Sequence, residues 1–116
     1  MSLFDTIEEQ QLHEHNIKVV KDNFPKQTIN DIAYLLKILG EPSRLKIVLA
    51  LSEGEMCVYH LVEAVNSNQS AVSHQLRILR ENKVIKSRRD GKNIVYSLED
   101  EHIMQIVNLV KIHIEE

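Results

Sequence analysis

The dipeptide Asp90-Gly91 constrains this chain more than any other pair of residues. Asp-Gly suits a tight type I′ hairpin turn, and it is flanked by residues 84–89 and 92–98, both of strand composition. In the second run Ile94, Tyr96 and Leu98 alternate with Val95 and Ser97, the period of a half-buried strand. Just before the hairpin the period is that of a helix. Asn68 has the chemistry of an N-cap, and Val72, Leu76 and Leu79 follow at i, i+4, i+7 up to about Asn82. A helix that runs into a tight hairpin restricts the fold to a few arrangements.

The rest of the chain narrows them further. Residues 4–23 read as a charged helix ended by Phe24-Pro25, because the residue before proline avoids helical backbone. Thr28 with Asp31 predicts the next N-cap, and Ile32, Leu35, Leu36 and Leu39 form an apolar face stopped at Gly40. Pro42 opens another helix, with Leu45, Val48 and Leu49 on its apolar side up to Gly54. Residues 57–65 predict a short helix, and a final helix is expected from about Asp100 to the end. The fold class is therefore mainly α with a β-hairpin wing: a winged helix-turn-helix with a helix appended at each end. One domain is expected over 1–116, with a helical extension at 1–25, the helix-turn-helix at 57–82, the wing at 84–98 and the last helix at 100–116.

Composition excludes several classes. With 116 residues, 43% apolar, three Gly and two Pro, the chain suits one modest core and no disordered or collagen-like state. The single Cys excludes a disulfide framework or a multi-thiolate knuckle within one chain. No apolar run reaches the ~18–20 residues of a membrane span, and the first ten residues lack a signal-peptide pattern, so a cytoplasmic protein without membrane partners is expected. Net charge is −3, but it is unevenly placed. Residues 66–98 hold Arg77, Arg80, Lys83, Lys86, Arg88, Arg89 and Lys92 against only Glu81 and Asp90. A basic segment inside an acidic chain is an electrostatic footprint that the total conceals.

On a helical wheel Ser70, Ser73, His74 and Arg77 share the stripe opposite the apolar one, with Asn68 and Gln69 at its head. Hydroxyls, amides, an imidazole and a guanidinium suit base edges and phosphates in a major groove. Arg88, Arg89 and Lys92 at the hairpin would reach neighbouring phosphates or a minor groove. An ordinary solvated face would have the same composition, and the helix-turn-helix context decides for double-stranded DNA.

Three segments carry a more specific signal: ILGEPSRLKIVLAL, SNQSAVSHQLRILRENKVI and RRDGKNIVYSL. In this order they resemble the ArsR/SmtB family of metal-responsive bacterial repressors, over roughly residues 28–116. The resemblance implies a homodimer that dimerises through its terminal helices, binds a palindromic operator without metal and releases it when metal binds. It implies no enzymatic activity.

The last helix carries the sensory chemistry. Asp100, His102, His113 and Glu116 match the C-terminal-helix zinc sensors of that family residue by residue. His102 and His113 lie about 20° apart around a helix but roughly 16 Å apart along it, so one helix cannot close the site. Metal–nitrogen bonds are only about 2.0–2.1 Å. Two antiparallel copies can close it, the early pair of one meeting the late pair of the other in two equivalent sites. Ile103, Ile106, Val107, Val110 and Ile114 form the apolar stripe beside these ligands. Two imidazoles and two carboxylates suit Zn2+, with Co2+ or Ni2+ as alternatives. Asp100 also reads as a helix cap, and both readings stand.

A second metal site is weaker. Thiolate sensors of the family carry Glu-Leu-Cys-Val-Cys-Asp-Leu where this chain has Glu55-Met56-Cys57-Val58-Tyr59-His60-Leu61. Tyr59 replaces the second Cys, which argues against a soft site with several thiolates. Cys57 and His60 at i, i+3 remain, and His13 and His15 on the N-terminal extension complete the candidate set. A lone Cys is also an ordinary small hydrophobe. The alternative function is a winged-helix regulator switched by another signal such as Cys57 oxidation, with the C-terminal histidines incidental. Cys57 and His60 lack the third orienting group that a nucleophilic enzyme needs.

Overall fold

The computed structural model of the protein describes residues 6–116. Of the expected first helix and N-terminal extension, residues 1–5 lie outside the described residues. The chain divides into two units between Leu35 and Leu36.

In the first unit α1 spans Ile7–Asn23, and Thr6 Oγ1 caps it by accepting the Glu9 amide at 3.0 Å. Glu8 and Glu9 in its first turn and Lys21 in its last complement the helix dipole. The helix ends before Pro25, as expected. α2 spans Lys26–Leu39 and so begins immediately after that proline. The expected cap at Thr28 is therefore corrected: Thr28 lies inside the helix, and the Pro25 carbonyl accepts the Ile29 amide at 3.1 Å. Proline lacks a donor but keeps its acceptor, so its backbone can open the helix without a side-chain cap.

The second unit starts with the last turn of α2, where Ile38 and Leu39 are buried. α3 (Pro42–Ser52) begins at the expected proline, with the Glu41 carboxylate accepting the Arg44 amide at 3.0 Å. A two-residue strand β1 (Met56–Cys57) precedes α4 (Val58–Ala64). The predicted helix at 57–65 thus starts one residue late, because Cys57 pairs with the sheet. α4 ends with Asn66 at φ 53, its amide on Glu63 O and the Ser67 amide on Val62 O, the two bonds of a Schellman closure. Asn68 then caps α5 (Gln69–Glu81), its Oδ1 accepting the Ala71 amide at 2.9 Å. Asn66, which closes α4, and Asn68, which caps α5, make the four-residue turn of the helix-turn-helix over 65–68.

α5 is closed in the same way. Lys83 sits at φ 58, and the amides of Lys83 and Val84 donate to Arg80 O and Leu79 O. β2 (Ile85–Asp90) and β3 (Asn93–Leu98) follow as an antiparallel hairpin, and β1 joins the other edge of β3. The pairing Asp90↔Asn93 leaves Gly91-Lys92 as the two-residue loop, one place later than expected. Gly91 alone has positive φ, at 62. That is the type II′ pattern with Gly first, and not type I′, which needs positive φ at both positions. The alternation expected for β3 is also blunted. Residues 95–98 are all half-buried, so neither face of that part of β3 is fully free.

The core confirms the apolar face of α5: Val72, Leu76 and Leu79 are buried against Ile47, Val48 and Leu51 of α3 and Leu61 of α4. Fully burying each of these side chains contributes about 1.5–3 kcal/mol. α6 spans His102–Glu115, starting two residues after the expected Asp100. Its apolar stripe changes character along its length. Ile103 is buried and Ile106 and Val107 are half-buried, whereas Val110 and Ile114 are exposed. Among the described residues no helix is long and apolar enough to cross a membrane.

Candidate functional site

The solvent face of α5 follows from its buried one. With Val72, Leu76 and Leu79 turned inward, Gln69, Ser70, Ser73, His74 and Arg77 are all exposed and line one open concave surface. Asn68 is exposed as well, but its Oδ1 is committed to the cap, leaving its amide nitrogen for other contacts. The helix is fixed from behind by a residue that sequence reasoning missed. Arg44 of α3 donates through Nη1 to Gln75 Oε1 at 3.2 Å and through Nε to the Ile38 carbonyl at 2.8 Å. One guanidinium therefore ties α5 to the end of α2. The i, i+31 separation of Arg44 and Gln75 left no local signal for it.

On the wing Arg89 and Lys92 are exposed, and neither has an ion-pair partner among the described residues. Arg88 differs. Its guanidinium is bound to the Glu55 carboxylate, with Nη2 donating to Oε1 and Nε donating to Oε2 at 3.4 Å. That hydrogen bond, then the charge of Glu55, pushes the Arg88 guanidinium further above its ordinary value. The expected free phosphate contact is thus a paired residue in the isolated chain.

The expected metal ligands fall into two groups, one at each end of α6. Asp100 and His102 are brought together: Asp100 Oδ1 accepts the His102 amide at 2.9 Å and lies 3.3 Å from His102 Nδ1. His113 stands in the last turn of the same helix and Glu116 closes it. Eleven residues of helix separate the two imidazoles by roughly 16 Å. Among the described residues no three His, Cys, Asp or Glu side chains of one chain gather closely enough to hold a metal.

Of the second set, Cys57 and His60 are brought together, with Cys57 Sγ 3.5 Å from His60 Nδ1. β1 holds the first and the opening turn of α4 the second. His13 and His15 lie on α1, in the other unit.

The same segments that build this face are shared with known proteins. The family of bacterial regulatory proteins described as arsR matches residues 41–87, from the cap of α3 into β2. The cadmium resistance transcriptional regulatory protein CadC homolog of Staphylococcus aureus is 36% identical over 110 residues, covering 94% of this chain and 91% of that protein. This chain belongs to the ArsR/SmtB family. A transcriptional repressor SmtB homolog of Synechocystis is 45% identical over 85 residues, 73% of this chain, and those residues span 64% of that relative. Among solved structures, a homodimeric winged helix-turn-helix DNA-binding domain from Mycobacterium bovis superposes with a TM-score of 0.72 at 26% identity, covering 78% of this chain and 83% of that one. As a member of the ArsR/SmtB family the protein is a DNA-binding transcriptional regulator and not an enzyme. The winged helix-turn-helix, with the β2–β3 hairpin as its wing, is its DNA-binding architecture.

Proposed function

We propose that the protein is a homodimeric repressor that binds a palindromic operator in its metal-free form and is released by Zn2+, with Co2+ or Ni2+ as alternatives. The observation that carries this reading is the distribution of donors on α6. A carboxylate and an imidazole sit together at its start, a second pair sits at its end, and the exposed apolar side chains Leu109, Val110, Ile112 and Ile114 lie between or beside them. A helix with half of a ligand set at each end and an uncovered apolar face calls for an antiparallel copy of itself. Asp100 and His102 of one protomer with His113 and Glu116 of its partner then make a four-coordinate N/O set, which fits zinc. When bound, the metal supplies a cross-link between the two last helices.

The homodimeric relative from Mycobacterium bovis supports the assembly, and the cadmium-resistance relative supports a metal signal over thiol oxidation. On DNA, Gln69, Ser70, Ser73, His74 and Arg77 read base edges, while Arg89 and Lys92 contact backbone phosphates. In a two-fold dimer the two reading helices enter major grooves one turn apart, about 34 Å centre to centre. Cys57 and His60 supply two donors of a secondary metal site, and a single thiolate with an imidazole again favours zinc over softer ions.

The deciding experiment selects an operator from random duplexes with the metal-free protein, then titrates that duplex with and without zinc. Zinc should lower operator affinity in the wild type and in Cys57→Ser, and should leave it unchanged in His102→Ala. Operator binding indifferent to zinc, cobalt and nickel would remove the metal switch. Release that survives His102→Ala and is lost in Cys57→Ser would move the sensor to the secondary site.

A further inference from the structure

Among the described residues, Arg88 is the one wing cation with a carboxylate already in its grip. It stands opposite Val95 of β3, and Val95 stands opposite Cys57 of β1. Directly opposed residues of antiparallel strands point to the same face, so Cys57, Val95 and Arg88 form one row across the sheet. Two strand spacings, about 9.5 Å, separate the outer strands. The Arg88 side chain crosses β3 to reach Glu55, which lies just ahead of β1, and engages both carboxylate oxygens. A third contact, Nη1 to Asp90 Oδ2 at 4.0 Å, is long. Both main partners are about half-exposed, at 54% and 50% of their side-chain surface. The guanidinium fork is therefore occupied by a carboxylate in a place where a phosphate oxygen could compete for it.

We propose that Glu55 is an internal competitor for the wing arginine: it holds Arg88 across the sheet in the free protein and yields it to a DNA backbone phosphate in the complex. This rests on the reading of the hairpin as a DNA-contacting wing. A carboxylate and a phosphate present the same pair of oxygens to the fork, and one fork cannot serve both. An exposed ion pair is weak, about two- to fivefold in an equilibrium, so the exchange is reversible. The phosphate contact carries no base information, so competition by Glu55 lowers affinity for all sequences alike and leaves the discrimination made by α5 untouched.

The test compares wild type, Glu55→Gln, Arg88→Gln and the double variant as full chains. Each binds the selected operator duplex and a scrambled duplex of equal length across a salt series. Glu55→Gln should tighten both duplexes by about two- to fivefold. Arg88→Gln should weaken both and lower the slope of log affinity against log salt by about 0.9 per wing arginine. On the Arg88→Gln background, Glu55→Gln should change nothing. Unchanged or weaker binding by Glu55→Gln overturns the proposal, as does an equal gain with and without Arg88, which would be a general charge effect. These outcomes leave the repressor reading intact if the wild type still prefers the operator duplex. A wild type that binds neither duplex removes that reading and this proposal with it.

Discussion

The Asp100 carboxylate and the His102 imidazole are coupled through a helix end: one oxygen accepts the His102 amide at 2.9 Å and stands 3.3 Å from Nδ1 of the same residue. The two sequence readings of Asp100, cap and ligand, are thus compatible in one side chain. The formal N-cap, Glu101, makes no side-chain cap bond, so Asp100 takes on that role from one residue further out. A carboxylate has lone pairs enough to hold an amide and still bind a cation.

This relationship separates two substitutions. Asp100→Asn keeps an acceptor for the His102 amide and should leave thermal stability nearly unchanged, while zinc affinity falls. Asp100→Ala should lose the cap as well, costing about 1 kcal/mol of stability. Thermal unfolding of the metal-free protein, together with competitive zinc titration, reads both effects. Equal zinc affinity in Asp100→Asn and wild type would leave Asp100 a cap alone.

The proposed DNA-reading role of α5 makes a sharper demand. Arg77→Ala, Ser73→Ala and His74→Ala each remove an exposed group from α5 without touching Val72, Leu76 or Leu79. Loss of a base contact costs about 1–3 kcal/mol against the operator. Zinc affinity should stay as in the wild type. Arg89→Ala and Lys92→Ala should instead weaken operator and scrambled duplexes by the same factor and flatten the salt dependence. Unaltered operator affinity in Arg77→Ala would remove the assignment of this stripe.

What the sequence revealed and what it hid divide along contact range. The Asn68 cap, the Pro42 start and the Val72–Leu76–Leu79 face are each set by residues no more than seven positions apart and read directly from the chain. The loop at Gly91-Lys92 was missed by one place because Asp-Gly fits a turn in either register, and pairing along the whole hairpin decides between them. β1 escaped notice because two residues carry no period. Its existence depends on the free edge of β3, nearly forty residues later. Lys83 in the left-handed region gives no compositional sign either, since Gly or Asn is the expected residue there. At the site the exposed donors were legible one by one. The Arg88–Glu55 pair and the Arg44–Gln75 tie join residues more than thirty positions apart, and only the folded chain brings them together.

Glu41 gives a pH prediction. Backbone amides of Ser43, then of Arg44, donate to its carboxylate and hold it below its ordinary value near 4.5. A carboxyl whose folded value is depressed stabilises the fold above its unfolded value, and this contribution is lost as pH falls through the folded value. Glu41→Gln removes that titration. The stability difference between wild type and variant should be constant at neutral pH and shrink steadily below about pH 4.5. Denaturant unfolding at a series of acidic pH values measures it. A difference that stays constant down to pH 3 would show that the α3 cap does not depend on charge.

The cross-protomer metal site can be tested with a mixed dimer in which one chain carries His102→Ala and the other His113→Ala. If the early pair of one α6 meets the late pair of the other, both lesions fall in the same site. The second site keeps Asp100 and His102 of one protomer facing His113 and Glu116 of its partner. One zinc per dimer should then bind as tightly as in the wild type. If each chain ligated its own metal, each site would lack one imidazole and neither would be complete. The homodimeric parents carry one lesion in every site under either arrangement, so only the mixed dimer discriminates. The roughly 16 Å between the two imidazoles along one helix argues for the shared arrangement. Tandem affinity tags on the two chains isolate the mixed species, and metal content with competitive titration counts its tight sites. A mixed dimer with no tight site, beside a wild type that binds two, would sink the shared geometry and the switch built on it.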